Sequence, residues 1–179
     1  FMTNLEKMEA VYENPYVLVS DKKITLVKQE LLPILELVAK TKRPLLIIAQ
    51  DIEKEALATL ILNKLRSIVN VVAIKAPGFS EQRKLILEDI AILTGATLIT
   101  DDIGANFENL EINKFGEARK IIVDKDNTTI ISISEKNKLA IFNRCEQLRK
   151  QINLTEIQYE KEKLQNRIAL LSGGVAIIK

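Results

Sequence analysis

The feature that most constrains the fold is a helical segment with more apolar surface than one core can cover. Residues 53–66, EKEALATLILNKLR, have the residue spacing of a helix. Successive residues of a helix are about 100° apart around its axis, so these apolar side chains cover an arc of roughly 200°. A helix lying on one core needs an apolar arc of only about 100°. These side chains are Leu57, Ala58, Leu60, Ile61, Leu62 and Leu65. The helix is therefore either sandwiched between two layers or presents part of its surface to a partner.

The segment before it shows the same excess. In residues 31–40, LLPILELVAK, only Glu36 and Lys40 form a polar edge. Proline is tolerated in the first turn of a helix, so either the helix starts near Leu32 or it is kinked at Pro33.

Charged side chains alternate with the leucines of the 53–66 helix and argue against its burial on all sides. They are Lys54, Glu55, Lys64 and Arg66, and burying an unpaired charge is costly. Contiguous exposed apolar surface usually marks a binding site, and an apolar groove between two helices suits extended or amphipathic polypeptide. The pattern favours polypeptide binding, and sandwiching between layers remains the alternative.

Strands and helices alternate through the first half of the chain. Residues 16–19 read as a strand, and residues 45–49 and 70–74 are continuous apolar runs typical of strands buried in a parallel sheet. With a helix between the last two, they have the order of a βαβ unit. An amphipathic helix with Leu85, Ile86, Ile90 and Leu93 at helical spacing then ends near Gly95, and residues 97–100 predict a short strand.

The second half predicts a β-hairpin followed by two helices. Two β-branched runs, 119–123 and 128–133, flank the turn DKDN. Two amphipathic helices follow at 135–152 and 155–171. Residues 175–178 begin a strand whose partner we expect to lie outside the chain, and we expect the chain to be part of a longer protein.

Composition excludes several classes of site. The chain has no histidine and one cysteine, so a disulfide within the chain, a zinc site and histidine-dependent hydrolase chemistry are not expected. We predict that Cys145 is a buried, inert thiol. The net charge of +2 is near balance and the charges do not form blocks, so we expect no nucleic-acid partner. No apolar run approaches the ~20 residues of a membrane span, and no membrane partner is expected.

An alternative function is a small-ligand α/β enzyme domain. Its site would lie at the strand ends, at residues 75–78 (beginning with Lys75 and ending with Gly78) and at Asp101 and Asp102. The two aspartates could hold magnesium, but a loop and helix-cap role is favoured because it explains them without a metal. The glycines fit neither GxGxxG nor GxxxxGK[ST], so a phosphate-binding loop is absent.

Several segments together resemble the group I chaperonins, the GroEL-like family. They are DKKI (21–24), LLPILE (31–36), KRPLLIIAQDIEKEALATLILNKLR (42–66), VAIKAPGF (72–79), EDIAILTGAT (88–97) and EKLQNRIALLSGGVAIIK (162–179). The resemblance covers the whole chain. It implies a layered β/β/α fold of the α/β class, with two apolar surface helices and a C-terminal helical pair. Residues 1–172 would be the apical domain, and residues 173–179 the start of the strand leading back to the intermediate domain.

The resemblance also implies a chaperone function and its residues. The family's apical domain captures non-native polypeptides, and the mobile loop of the co-chaperonin lid binds in the same groove, on a ring of seven subunits. Carried over, the groove residues are Leu32 and Leu35 in the first helix, Leu57, Ile61 and Leu62 in the second, Phe1 beneath them and Asn63 beside them. The segment 24–32 is one residue longer than the common family form, which affects the register of the first helix.

The resemblance implies no catalytic residue, metal or cofactor within this chain. In the family, ATP and magnesium bind in the equatorial domain, and a catalytic aspartate lies in the intermediate domain. We therefore expect this chain alone not to hydrolyse ATP, whereas the full-length protein would. Bacterial cytoplasm or plastid stroma is the expected location, with the mitochondrial matrix less favoured.

Overall fold

A sheet flanked by helices forms the framework of the chain. The computed structural model describes residues 10–21, 32–52, 54–55, 58–59, 70–76, 80–99, 115–124, 127–132, 138–173 and 175–178. The strands are β1 (Ala10–Glu13), β2 (Tyr16–Val19), β3 (Leu45–Ala49), β4 (Val71–Lys75), β5 (Gly116–Val123), β6 (Thr128–Ser132) and β7 (Val175–Ile178). The helices are α1 (Leu32–Ala39), α2 (Ser80–Thr94), α3 (Lys138–Leu154) and α4 (Gln158–Gly173). Within these residues the strands form one sheet in the order β4-β3-β2-β5-β6-β7, and β1 pairs with β5.

The first half of the sheet is parallel and buried on both faces. Strand β3 lies between β2 and β4, with Leu46 opposite Val17 on one side and Val72 on the other. All five residues of β3 are buried. The predicted strands at 16–19 and 45–49 are confirmed, and the third is displaced by one residue, to Val71–Lys75.

Alternate side chains of this half supply two separate cores, because successive residues of a strand point to opposite faces. Val17, Leu46 and Ile48 belong to the core that contains Leu87 and Ile90 of α2. Ile47, between the last two, belongs to the core formed with α1. The remaining strand residues of the α1 core are Leu18, Leu45, Ala49 and Val71. The α/β class implied by the resemblance is therefore confirmed, with helices on both faces of this half of a single sheet.

Strand β5 joins the parallel half to an antiparallel half. Its first two residues pair with Val17 and Tyr16 of β2, and the rest of the strand pairs with β1 and β6. The register with β6 shifts between Ala118 and Lys120, and such an irregularity bends a strand and increases its twist. The sheet curls at this point, and the predicted hairpin of β5 and β6 is confirmed.

Arg43 connects the two halves at the beginning of β3. Its Nη1 lies 2.6 Å from Oε1 of Glu117 on β5, and its Nε donates to the carbonyl oxygen of Asn14 at 2.8 Å. Its guanidinium carbon lies 4.0 Å from the centroid of the Tyr16 ring. One side chain thus contacts the β1–β2 turn, β2 and β5.

Two strand predictions are corrected by pairing between distant segments. Strand β1 was not expected, because residues 1–14 read as mixed and polar, yet it pairs antiparallel with β5. The partner of β7, expected outside the chain, is β6, with Ile131 opposite Val175. In the 97–100 segment, Ile99 forms a single bridge with Ser20. Thr100 lies outside the described residues.

The helices follow the predicted order with shifted ends. The described part of helix α1 spans Leu32–Ala39 and has Pro33 as its second residue. Residues 22–31 lie outside the described residues, so a start near Leu32 and a kink at Pro33 both stay predictions. Helix α2 spans Ser80–Thr94, and Gly95 follows it with φ of 76°, a conformation in which glycine is favoured after a helix. Leu85 was expected on the core side of α2, but its side chain is 40% exposed.

Candidate functional site

Helix α1 buries one face on the sheet and leaves a polar edge in solvent. Ile34, Leu35 and Val38 are buried in the α1 core at 0%, 4% and 0% exposure. Glu36 and Lys40 are exposed. Buried positions i, i+1 and i+4 lie on one side of a helix, so the buried arc is the one that faces β3.

Leu35 is therefore placed differently from what the groove prediction suggests. With 4% of its surface exposed, it offers almost no area to a partner in this structure. For Leu32, the first residue of α1, the structure describes the backbone alone. The contact of Leu32 and Leu35 with polypeptide stays a prediction.

Four residues of the second apolar helix are described, and they expose part of its surface. Lys54, Glu55 and Ala58 are exposed, and Thr59 is half-buried. The Thr59 hydroxyl donates to the carbonyl oxygen of Glu55 at 3.0 Å, the i to i−4 geometry of an α-helix. Ala58 belongs to the apolar arc predicted from the sequence, so at this position the arc faces outward. The predicted site residues Phe1, Leu57, Ile61, Leu62 and Asn63 lie outside the described residues.

The alternative small-ligand site receives no support from the described part of the chain. Lys75 is exposed at the end of β4, while Gly78, Asp101 and Asp102 lie outside the described residues. Among the residues that were placed, no group of three or more His, Cys, Asp or Glu side chains could hold a metal ion.

A partly buried ionic cluster joins α2 to the C-terminal helices, and it was not predicted from the sequence. We call Glu88, Asp89, Arg144 and Arg167 the Asp89 cluster. Asp89 has 5% side-chain exposure and accepts from Arg167 twice, from Nε at 2.6 Å and from Nη2 at 3.0 Å. Nε of Arg144 lies 3.3 Å from the same carboxylate, and its Nη2 lies 3.0 Å from Glu88.

A local signal for this cluster exists in the sequence. Asp89 lies between Leu87 and Ile90, which are both fully buried on α2. A carboxylate on the apolar face of a helix needs a cationic partner, because a buried charge without one is costly. The signal indicates that a partner exists, but it does not say which of the 26 lysines and arginines fills the role.

The Cys145 thiol is buried in the core and free, as predicted. Burial raises the pKa of this thiol above its ordinary value; Arg149 lowers it, and Asp89 and Glu146 raise it. Since the thiolate is the reactive form, we expect DTNB at pH 8 to label the native chain at least roughly 100-fold more slowly than the chain in urea. Equal rates would show that the thiol is open to solvent in the native state.

Within the described residues, no helix is long and apolar enough to cross a membrane.

No family model matches the sequence. The fold itself has solved counterparts: two structures of the chaperonin gp146 from the bacteriophage EL 2 (Pseudomonas aeruginosa) superpose with TM-scores of 0.73 and 0.65, at 17% and 18% sequence identity. The matches cover 94% of this chain and 34% and 33% of those chains. The curled sheet with its flanking helices is thus the fold of a chaperonin domain.

Two curated sequence relatives are named chaperonin GroEL. The chain is 64% identical over 163 residues to the chloroplastic chaperonin GroEL of Trieres chinensis, covering 91% of this chain and 31% of the relative. It is 54% identical over 179 residues to the chloroplastic chaperonin GroEL of Gracilaria tenuistipitata var. liui, covering 100% of this chain and 34% of the relative. The chain is therefore homologous to the GroEL chaperonins and covers a GroEL-like domain. It spans about a third of the length of these curated relatives.

Proposed function

We propose that this chain is the polypeptide-binding apical domain of a GroEL-type chaperonin. The observation that carries the proposal is the 64% identity, over 91% of the chain, to a protein named chaperonin GroEL. The full-length protein would act as a molecular chaperone in a seven-subunit ring. It would bind ATP and magnesium in domains outside this chain, and a co-chaperonin lid would close the ring. Plastid stroma is the favoured location, because both relatives are chloroplastic.

The proposed mechanism is hydrophobic capture on the 53–66 helix and α1. The described residues support it at Ala58, which is exposed on the apolar arc. In a continuous helix, Ile61 and Leu62 follow Ala58 by three and four positions and therefore share its side. Apolar contact demands little geometry, so binding should be promiscuous towards sequence and should favour peptides with an apolar face.

A peptide titration tests this assignment. We expect a fluorescently labelled amphipathic peptide to bind the wild-type chain, and Leu57→Glu or Ile61→Glu to weaken binding at least roughly tenfold. Losing the burial of one such side chain costs about 1.5 to 3 kcal/mol, and about 1.4 kcal/mol is a factor of ten in Kd. Fluorescence anisotropy measures the affinity, and circular dichroism checks that each variant is folded.

The matched control is Leu139→Glu, which places the same charge on a different exposed apolar position. Leu139 is 72% exposed on α3, so its substitution should leave peptide affinity unchanged. Equal affinity of wild type, Leu57→Glu and Ile61→Glu would rule out the proposed site. Weaker binding by Leu139→Glu alone would place the peptide on the C-terminal helices instead.

A further inference from the structure

The two C-terminal helices form an insertion in the chain between two neighbouring strands. Strands β6 and β7 pair antiparallel, with Thr128 opposite Ile178 and Ile131 opposite Val175. The chain between them contains α3 and α4, which we call the helical hairpin (residues 138–173). Because β6 and β7 are neighbours, the two ends of the hairpin segment meet the sheet side by side.

The hairpin contacts the rest of the protein through three buried and four partly buried apolar side chains. The buried ones are Cys145, Leu148 and Leu171, and those partly buried against the same core are Ile141, Leu164, Ile168 and Leu170. The large exposed apolar side chains of the hairpin are Leu139, Phe142, Leu154, Ile157 and Tyr159, with exposures between 56% and 84%. Elements with few buried contacts are those that open locally at low free-energy cost.

The interface between the hairpin and α2 is open at one end and closed at the other. A cleft of about 610 Å³ is lined by Leu85 and Ile86 of α2 and by Lys163, Leu164 and Arg167 of α4. Further along both helices, Asp89 meets Arg167 and Arg144 in the Asp89 cluster. The closed end is therefore held partly by charge.

Asp89 is the shared member of this contact. Its carboxylate is 5% exposed, and the guanidinium groups of Arg144 and Arg167 are 19% and 17% exposed. Each of its two partners comes from a different helix of the hairpin. Removing one partner of a buried ion pair is strongly destabilising, because the other charge stays buried without compensation.

We propose that the Asp89 cluster is a latch, and that the helical hairpin opens away from α2 as one unit while the sheet remains paired. In this arrangement the charge on Asp89 sets how often the hairpin opens. The proposal does not depend on the function assigned above, since it concerns only the docking of the hairpin.

Hydrogen exchange measured by mass spectrometry on the 179-residue chain tests the latch. In the wild type, amides of α3 and α4 should exchange faster than amides of β3 and β4. Asp89→Asn should accelerate exchange in the hairpin by roughly 100-fold while leaving β3 and β4 unchanged, because it leaves the guanidinium groups without their shared charge. The matched control is Glu146→Gln on α3, because its ion pair with Arg149 lies within the hairpin and outside the Asp89 cluster. The Glu146 side chain is 46% exposed, so its ion pair contributes little and hairpin exchange should change less than about threefold.

Cys145 provides a second readout, since it lies in the core on α3. Opening of the hairpin should expose it, so Asp89→Asn should speed its labelling by DTNB by the same factor as hairpin exchange. If Asp89→Asn fails to fold, Arg144→Gln serves instead: it keeps the Asp89–Arg167 contact and should produce a smaller, hairpin-confined increase. Equal acceleration in the hairpin and in β3 and β4 would contradict the latch, as would unchanged exchange in the hairpin.

Discussion

Replacing Gly116 by alanine is expected to lower the free energy of unfolding by about 2 to 4 kcal/mol. A Cβ at this position would lie 2.6 Å from Oγ1 of Thr94, 2.8 Å from the carbonyl oxygen of Thr94 and 2.9 Å from Cβ of Ala96. Carbon does not approach other atoms so closely, so either β5 or the end of α2 must move. Urea denaturation measures the change in the free energy of unfolding. The dependence of that free energy on urea concentration is compared between the variants.

The neighbours of Gly116 have little freedom to adjust. Thr94 is buried, and its hydroxyl donates to the carbonyl oxygen of Ile90 at 2.8 Å. Gly116 itself pairs with Val17 where β5 meets β2. A shift therefore disturbs both the end of α2 and the junction between the two halves of the sheet.

Gly173→Ala is the matched control for Gly116→Ala. It is the last residue of α4, and a Cβ there would meet nothing within 4 Å. Alanine has the higher helix propensity, so this substitution should be neutral or stabilising by up to about 1 kcal/mol. Equal effects at the two glycines would mean that the close approach of α2 to β5 is not needed for stability.

Ile47→Ala and Ile48→Ala are each expected to lower the free energy of unfolding by roughly 2 to 5 kcal/mol. Both side chains are completely buried, although they point to opposite faces of β3. Ile47 packs in the α1 core, and Ile48 packs in the core of α2 and the helical hairpin. Each truncation removes apolar contacts and leaves a cavity. The two cavities lie in different layers.

Comparing these two adjacent variants tests whether the sheet is covered on both faces. A surface control, Leu139→Ala, should change stability by no more than about 0.5 kcal/mol, because Leu139 is 72% exposed. If only one of the two isoleucine variants is destabilised, the other face of β3 is open to solvent and the layered arrangement is wrong. Thermal unfolding followed by circular dichroism gives an independent measure.

The sequence predicted best those elements whose signal is local. The continuous apolar run of β3, the helical spacing of α2 and the turn between β5 and β6 each lie within a few consecutive residues, and each is confirmed. Errors occurred where a segment takes its structure from a distant partner. Strand β1 has no apolar pattern strong enough to predict it, and β5 supplies its hydrogen bonds. The partner of β7 could not be read from residues 175–178 themselves.

For the candidate site, too, the local features were predicted from the sequence and the features that depend on tertiary packing were not. Excess apolar surface on α1 and on the 53–66 helix was visible in the sequence, and the exposure of Ala58 agrees with it. Residue roles within α1 were not visible, since Leu32, Leu35 and Leu37 are chemically alike. The depth of Leu35 in the α1 core depends on how the helix is rotated against β3, and periodicity does not fix that rotation.

By itself, the sequence determined the order of the main helices and strands, the presence of two strongly apolar helices and a resemblance to the GroEL-like family. Only the tertiary structure decided which side of α1 is buried, how β1 and β7 complete the sheet, and which cations neutralise Asp89. The partners of Asp89 are 55 and 78 residues away along the chain. Periodicity reflects contacts between near neighbours, whereas a pairing over such distances is chosen only when the packed elements bring the two charges together.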